Sequence, residues 1–163
     1  MDSTEPLHYL SIDKAGSLIR AGKLSPVDLT ESYLQRIDRL NPTLHSYISV
    51  NGDSARENAK AMDMEIARGH YRGPLHGIPI ALKDLVDTEG VATTYGSESF
   101  RDRVPSADAT LVTRLKAAGC INLGKLTMSE LAMVGPPGFG KETLNPWNTS
   151  HAPGGSSSGS ATA

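Results

Sequence analysis

Two segments of the chain carry residues whose types and order could do chemistry together. Residues 77–84 form a short apolar run that ends at Lys83 and Asp84, and a lysine held in surroundings of low dielectric is shifted towards its neutral, proton-accepting form. Residues 153–161 hold two adjacent glycines followed by a serine run that begins at Ser156. A serine hydroxyl attacks a carbonyl carbon only when a base takes its proton, and a second hydroxyl can relay that proton to a lysine. The pair therefore indicates a base and a relay for nucleophilic attack on an acyl group.

Each segment has a simpler interpretation when it stands alone. A serine and glycine run is typical of a flexible linker, and a lysine that closes a strand is typically a solvated surface charge. Gly154 and Gly155 let the backbone turn tightly and approach another strand or a substrate closely. Residues 160–163 have the pattern of a helix cap and first turn, with Ser160 as the cap.

The first 70 residues, which must support this chemistry, are predicted to be mainly helical. Ser11 is the expected N-cap of a first helix, and Ser25 is that of a second, which should stop at Asn41-Pro42. Alternating apolar and polar residues predict a strand over residues 44–50. Apolar residues at three- and four-residue steps then predict a third helix that ends at Gly69.

Residues 71–163 are predicted to form an α/β core. The apolar runs at residues 78–82 and 120–123 have the length and composition of buried strands. Between them, Asp108 is the expected cap of a helix whose inward face carries Leu111, Val112 and Leu115.

Two shorter patterns follow the second of these strands. Thr127 and Glu130 have the spacing of a capping box, which predicts a short helix over residues 128–133. Residues 135–159 are rich in proline and glycine and are predicted to form a loop.

Composition excludes several function classes. The chain has 163 residues, of which 38% are hydrophobic and 21% charged, with a net charge of −2; these are values of an ordinary globular protein without a surface for nucleic acid or anionic membranes. No apolar run approaches the roughly 18 residues of a membrane span, and the first six residues lack the parts of a signal peptide. We therefore expect a cytoplasmic protein. The single cysteine, Cys120, is predicted to be a small buried residue, because its sequence surroundings do not indicate the cationic microenvironment that activates a thiolate.

Residues 135–141 fit the glycine and lysine positions of a phosphate-binding P-loop. That motif needs a hydroxyl residue directly after its lysine, and Glu142 stands there instead. It also leads into a helix whose N-terminus faces the phosphates, whereas Pro146 predicts a turn shortly after Lys141. We expect no nucleotide binding at this loop.

The two chemical segments, taken with others in the same order, resemble the amidase signature family, serine hydrolases that cleave carboxamides through a Ser-cisSer-Lys triad. The resemblance runs from about Asp13 to the end of the chain. Its segments are residues 24–29, 36–38, 40–42, 73–84, 108–112, 115–119, 124–132, 145–147 and the closing Pro153-Gly154-Gly155-Ser156-Ser157-Ser158-Gly159-Ser160-Ala161. By this match, Lys83 takes the place of the family's general base. Ser156 takes the place of the serine that follows a cis peptide bond and relays the proton.

The resemblance implies an α/β fold: the N-terminal part of the amidase signature fold, a mixed β-sheet core covered by helices, with the C-terminal part absent. Residues 1–163 would be a single truncated amidase domain, with a mainly helical region over residues 1–70 and the α/β core over residues 71–163. The family's nucleophilic serine and its oxyanion-hole amides are expected on a glycine-rich segment beyond Ala163. This chain alone is therefore expected to be inactive on amides and poorly stable.

The implied activity is that of an amidase, which hydrolyses a non-peptide carboxamide to an acid and an amine or ammonia. No metal or organic cofactor is implied, and the expected partner is a small-molecule amide, with neither nucleic acid nor membrane. Two alternatives stay open: an A-type subunit of a glutamine-dependent amidotransferase, and a non-catalytic truncated family member. Residues 133–143 depart from the segment typical of the tRNA-linked enzymes. The possible protein partner is a second copy, as in a homo-oligomer, or a missing C-terminal half.

Overall fold

The computed structural model describes residues 6–133 and 135–163. Its helices and strands alternate along most of the chain, as the predicted α/β class requires. In chain order they are α1 (Ile12–Arg20), α2 (Pro26–Leu44), β1 (Tyr47–Val50), α3 (Gly52–Ala67), β2 (Pro79–Lys83), α4 (Thr110–Ala117), β3 (Ile121–Leu126) and α5 (Ser158–Thr162). Short 3-10 turns lie at Leu7–Tyr9, Glu98–Phe100 and Glu130–Ala132.

The three strands form one sheet in the order β1-β3-β2. Strands β1 and β3 are antiparallel, with Tyr47 opposite Leu126 and Val50 opposite Gly124, and the register is irregular between Tyr47 and Ser49. Gly124 has a φ of 154°, and a side chain at this position would collide with the Ser49 backbone. The close approach of these two strands therefore requires glycine.

Strands β2 and β3 are parallel neighbours. The Ile121 amide donates to the Ile78 carbonyl, and the Asp84 amide donates to the Leu126 carbonyl, both at 3.0 Å. Because the partners advance together along the chain, the two strands run in the same direction. The small sheet is thus mixed, and Lys83 stands at the last position of β2.

The described residues fall into two compact units. The first comprises the described residues up to Arg36 together with Asn51–Ile80 and Arg114–Leu123, and the second comprises Ile37–Val50, Ala81–Thr113 and Gly124–Ala163. The apolar core of the first unit is formed by Ala15, Ile19, Leu29 and Ile78, with Leu7, Leu10, Leu24, Tyr33 and Ile66 packed against it. Buried apolar residues of the second unit include Ile37, Leu82, Leu126 and Met128.

The prediction that the second helix stops at Asn41-Pro42 is wrong. Helix α2 continues to Leu44, and the Asn41 carbonyl accepts a hydrogen bond from the His45 amide at 2.9 Å. The Asn41 side chain holds the following turn, since its Oδ1 accepts from the Tyr47 amide at 2.8 Å and its Nδ2 donates to the Tyr47 carbonyl at 3.1 Å. His45, with a φ of 53°, ends the helix instead.

The predicted capping box does not form. The Thr127 hydroxyl donates to the His45 carbonyl at 2.8 Å, and Glu130 Oε1 accepts from the Ser97 hydroxyl at 2.7 Å. Both side chains have tertiary partners, so the predicted short helix is reduced to the 3-10 turn Glu130–Ala132.

Three smaller expectations are also corrected. Of the residues predicted to face inward on α4, Val112 is buried, which confirms its prediction, whereas Leu111 is 52% exposed and its prediction is wrong. The first strand begins at Tyr47 rather than at residue 44. Helix α5 begins at Ser158, so Ser160 lies inside the helix rather than at its cap. In the part of the chain that the structure describes, each helix is too short or too polar to cross a bilayer.

Candidate active site

The structure brings the two residues singled out by their chemistry into direct contact. Lys83 Nζ donates a hydrogen bond to Ser156 Oγ at 2.6 Å, although the residues are 73 positions apart in the chain. Both side chains are half-buried. The Gly155–Ser156 peptide bond is cis, as the family resemblance implied.

The serine segment is tied to the chain that follows β3. The Ser129 amide donates to the Ser156 carbonyl at 3.0 Å, and the Gly159 amide donates to the Thr127 carbonyl at 2.8 Å. A side chain at Gly155 would come within 2.9 Å of Ser129 Oγ. These backbone contacts place Ser156 opposite the end of β2, so its position depends on tertiary structure rather than on a flexible linker.

A second lysine lies in the same unit, and sequence reasoning missed it. The Lys125 side chain is fully buried, donates to the Val86 carbonyl, and lies 3.9 Å from Asp84 Oδ1. Burial lowers the pKa of Lys125 to about 8, and the nearby Asp84 carboxylate opposes this effect. Burial likewise raises the pKa of Asp84, while hydrogen bonds from Thr94 lower it. The signal in the sequence is a lysine between apolar residues of the strand 121–126, which also holds Ile121, Leu123 and Leu126.

A cavity of about 390 Å³ opens beside Ser156. Its walls combine apolar side chains with a few hydroxyls, which is the usual make-up of a small-molecule site. The lining includes Met133, Pro136, Pro137, Pro153, Ser129 and Glu142. The cavity can therefore place an apolar group next to the Ser156 hydroxyl.

Two other chemical possibilities find no support in the geometry. In the described residues, no group of three or more His, Cys, Asp or Glu side chains is placed to hold a metal ion. Burial raises the pKa of the Cys120 thiol, which is the opposite of what a nucleophilic cysteine needs.

Residues 135–141 also lack the surroundings of a P-loop. No helix lies within residues 142–157, which the structure describes throughout. The Gly138 amide, which a P-loop would direct at a phosphate, donates to the Gly96 carbonyl at 2.8 Å.

The family profile described as Amidase matches residues 28–163. The chain belongs to the amidase family. It is 45% identical over 155 residues to a protein named putative amidase AmiD from Mycobacterium tuberculosis, covering 95% of this chain and 33% of that protein. It is also 42% identical over 163 residues to the A-type subunit of the glutamyl-tRNA(Gln) amidotransferase from Chloroflexus aggregans, covering 96% of this chain and 33% of that one.

Solved structures of amidase enzymes are also similar to this chain. The native peptide amidase from Stenotrophomonas maltophilia superposes with a TM-score of 0.90 at 40% identity, covering 96% of this chain and 34% of that enzyme. A bacterial aryl acylamidase of the amidase signature enzymes superposes with a TM-score of 0.89 at 27% identity, covering 97% of this chain and 34% of that enzyme. These matches confirm the predicted family and the fold as the N-terminal part of the amidase signature fold. The chain spans about a third of the length of the relatives it matches.

Proposed function

We propose that this chain supplies the general base and the proton relay of an amide-hydrolysing site. The observation that carries the proposal is the 2.6 Å hydrogen bond between Lys83 Nζ and Ser156 Oγ. A base must lie within about 2.6–3.2 Å of the group whose proton it takes, and this contact meets that requirement. Membership of the amidase family gives the reaction class.

In the proposed mechanism, neutral Lys83 accepts the proton of Ser156, and Ser156 accepts the proton of an attacking serine hydroxyl. The attacking oxygen forms a bond to the carboxamide carbon. The carbon–nitrogen bond then breaks, and the leaving amine or ammonia takes back the relayed proton. Water hydrolyses the acyl-enzyme to the acid by the same proton path. The attacking serine is assigned to no residue of this chain; by the resemblance it belongs to a segment that the 163 residues do not include.

The proposed substrate is a carboxamide with an apolar group on one side of the scissile bond. The mainly apolar walls of the cavity beside Ser156 support this class. The names of two structural relatives, a peptide amidase and an aryl acylamidase, both refer to enzymes of amide bonds. A glutamine-dependent amidotransferase is the second candidate, carried by the 42% identity over 163 residues; glutamine turnover without turnover of apolar amides would favour it.

A chimera tests the proposal. The matching N-terminal third of the Stenotrophomonas peptide amidase is replaced by this chain, and hydrolysis of simple aryl and aliphatic amides is measured. We expect activity in the chimera and a fall in kcat of about 100-fold or more on Lys83→Ala or on Ser156→Ala, because each change removes a member of the proton path.

Matched controls are Lys60→Ala and Ser54→Ala, which remove an exposed lysine and an exposed serine. Both should leave kcat unchanged. Full activity of the Lys83→Ala chimera would contradict the proposed base. A chimera that folds, as judged by circular dichroism, but turns over no amide would favour the non-catalytic alternative.

A further inference from the structure

The buried Lys125 lies close to the proposed base but has no part in the proposed proton path. Its Nζ donates to the Val86 carbonyl and to the Thr93 hydroxyl, the latter at 2.9 Å. The Lys125 and Asp84 side chains are both fully buried. Burying a lysine disfavours its charged form, so its presence within a strand calls for a role that an apolar residue could not fill.

The buried carboxylate of Asp84 explains why a cation lies at position 125. Its Oδ2 accepts hydrogen bonds from the Thr94 amide, at 3.1 Å, and from the Thr94 hydroxyl. Its Oδ1 is buried and has no hydrogen-bond partner among the described residues, and the Lys125 ammonium stands 3.9 Å from it. A buried carboxylate left without a cation would be strongly destabilised. Lys125 therefore balances the charge of Asp84.

The link from this ion pair to the proposed base is short and continuous. Lys83 and Asp84 are consecutive at the end of an extended strand, so their side chains emerge on opposite sides of it. Holding the Asp84 carboxylate against Thr94 and Lys125 directs the Lys83 side chain towards Ser156. The Val86 amide also donates to the Lys83 carbonyl at 2.9 Å, and the Val86 carbonyl accepts from Lys125.

We propose that Lys125 and Asp84 are positioning residues, whose ion pair folds the segment after β2 and thereby holds Lys83 within hydrogen-bonding distance of Ser156. This inference rests on the proposed function for its biological meaning, since positioning matters only if Lys83 is the base. The contact between Lys83 and Ser156 can nevertheless be measured without any hydrolysis. Loss of the ion pair should loosen the contact between Lys83 and Ser156.

The contact can be followed by carbon-13 NMR of the 163-residue protein labelled at lysine, with the Lys83 Cε signal assigned from Lys83→Arg. Ser156→Ala gives the signal position for a lost contact. We expect Lys125→Met, which keeps the length of the side chain but removes its charge, to move the Lys83 signal by at least half of that displacement.

The matched control is Leu29→Ala in the core of the first unit, where Leu29 is buried. It should lower the stability of the protein but leave the Lys83 signal in place, so loss of stability alone cannot account for a displacement. Thr93→Val is the milder second variant, because it removes one acceptor of Lys125 at nearly constant volume. It should move the Lys83 signal in the same direction by a smaller amount, and it decides the question if Lys125→Met does not fold.

A folded Lys125→Met protein with an unmoved Lys83 signal would overturn the inference, as would an unmoved signal in Thr93→Val if the first variant is unfolded. The result is separable from that of the chimera. A displaced signal together with an inactive wild-type chimera would support the positioning role and reject the proposed function. An unmoved Lys83 signal together with an active chimera would reject the positioning role and support the proposed function.

Discussion

Gly159, which lies in α5 shortly after the proposed relay Ser156, has no room for a side chain. A methyl group there would collide with the backbone of Ser46 and of Thr127. Backbone atoms cannot rotate out of the way as a side chain can, so the serine segment would have to move away from the end of β3.

We predict that Gly159→Ala lowers the free energy of unfolding by about 3 kcal/mol. Gly69→Ala is the control, because Gly69 has a φ of 85° and nothing within 4 Å of the added carbon; it should cost only about 1 kcal/mol, from the left-handed backbone alone. Urea unfolding of both variants measures the difference. Equal losses would show that the collision at Gly159 is largely relieved by small shifts of the backbone and would contradict the prediction.

Lys83 and Ser156 could be predicted from the sequence because each sits in a segment with its own local signature, an apolar strand and a paired-glycine turn. Lys125 and Asp84 could not be identified in this way. The two residues interact only in the folded protein, where Lys125 Nζ lies 3.9 Å from Asp84 Oδ1. Thr94 bonds Asp84, and Val86 bonds Lys125. Hydrophobic periodicity indicates which face of a helix or strand is buried, but it cannot show which two buried charged residues form an ion pair.

Among the elements, α3 is coupled to the loop that precedes β2 through His76. The ring is fully buried, its Nδ1 accepts from the Arg72 amide at 3.0 Å, and its Nε2 lies 3.6 Å from Glu65 Oε2. Burial lowers the pKa of His76, while the Glu65 carboxylate opposes the shift and Arg72 adds to it. The neutral ring is the form that fits, because a proton on Nδ1 would end the bond from Arg72.

This shift predicts a loss of stability in mild acid. The unfolded histidine titrates near 6.5, and the folded pKa lies below that value, so the unfolded state binds more protons in the window beneath pH 6.5. Stability from neutral His76 is present above pH 6.5 and is lost as the pH falls towards the folded pKa, with a slope of at most about 1.4 kcal/mol per pH unit.

Urea unfolding at several pH values between about 7 and 5.5 measures this slope. His76→Gln should remove it, since glutamine can still accept from the Arg72 amide and does not titrate. His70→Gln, at an exposed histidine, is the control and should retain it. Glu65 also has a lowered pKa, through its hydrogen bonds with Arg72, but its contribution falls in more acidic solution, below about 4.5. A slope that persists in His76→Gln would contradict the assignment.

The loop of residues 135–141 gives a second prediction at this scale. Titration calorimetry with Mg-ATP or Mg-GTP should show no saturable binding, because the Gly138 amide is bonded to Gly96 and no helix follows in residues 142–157. Saturable binding that disappears on Lys141→Ala would mean that the loop does bind phosphates.

The elements that sequence patterns predicted well are those with local signals. Helix α1 begins after Ser11, whose hydroxyl accepts from the Lys14 amide at 3.2 Å, as its cap pattern indicates. The errors arose where a polar side chain bonded a partner that the local sequence pattern does not specify. Helix α2 continues past Pro42 to Leu44, and the Asn41 side chain bonds Tyr47 in the turn that follows; Glu130 bonds Ser97 instead of closing a capping box. A side chain that can bond locally or at a distance cannot be assigned from the sequence alone.

At the scale of the whole molecule, the described surface includes large apolar side chains that one copy leaves in water. Trp147 is 95% exposed, Met133 68% and Leu131 52%. A tryptophan this exposed is unusual, since tryptophan side chains are on average highly buried. In the three-stranded sheet, β1 and β2 also each have only β3 as a neighbour among the described strands, and an unpaired strand edge is a template for pairing with another chain.

We therefore predict that the 163-residue chain self-associates as its concentration rises. Trp147 is the single tryptophan, so tryptophan fluorescence reports on this residue alone. In dilute solution its emission should be that of a water-exposed indole. The emission should shift to the blue as the mass measured by light scattering increases. Met133→Ser keeps the reporter and should weaken association, because it removes apolar surface beside the cavity next to Ser156. Val104→Ser, at a side chain 56% exposed, is the control for loss of apolar area in general. Association that weakens equally in both variants, with no change in the emission of Trp147, would mean that the contact is non-specific and does not involve the surface around this tryptophan.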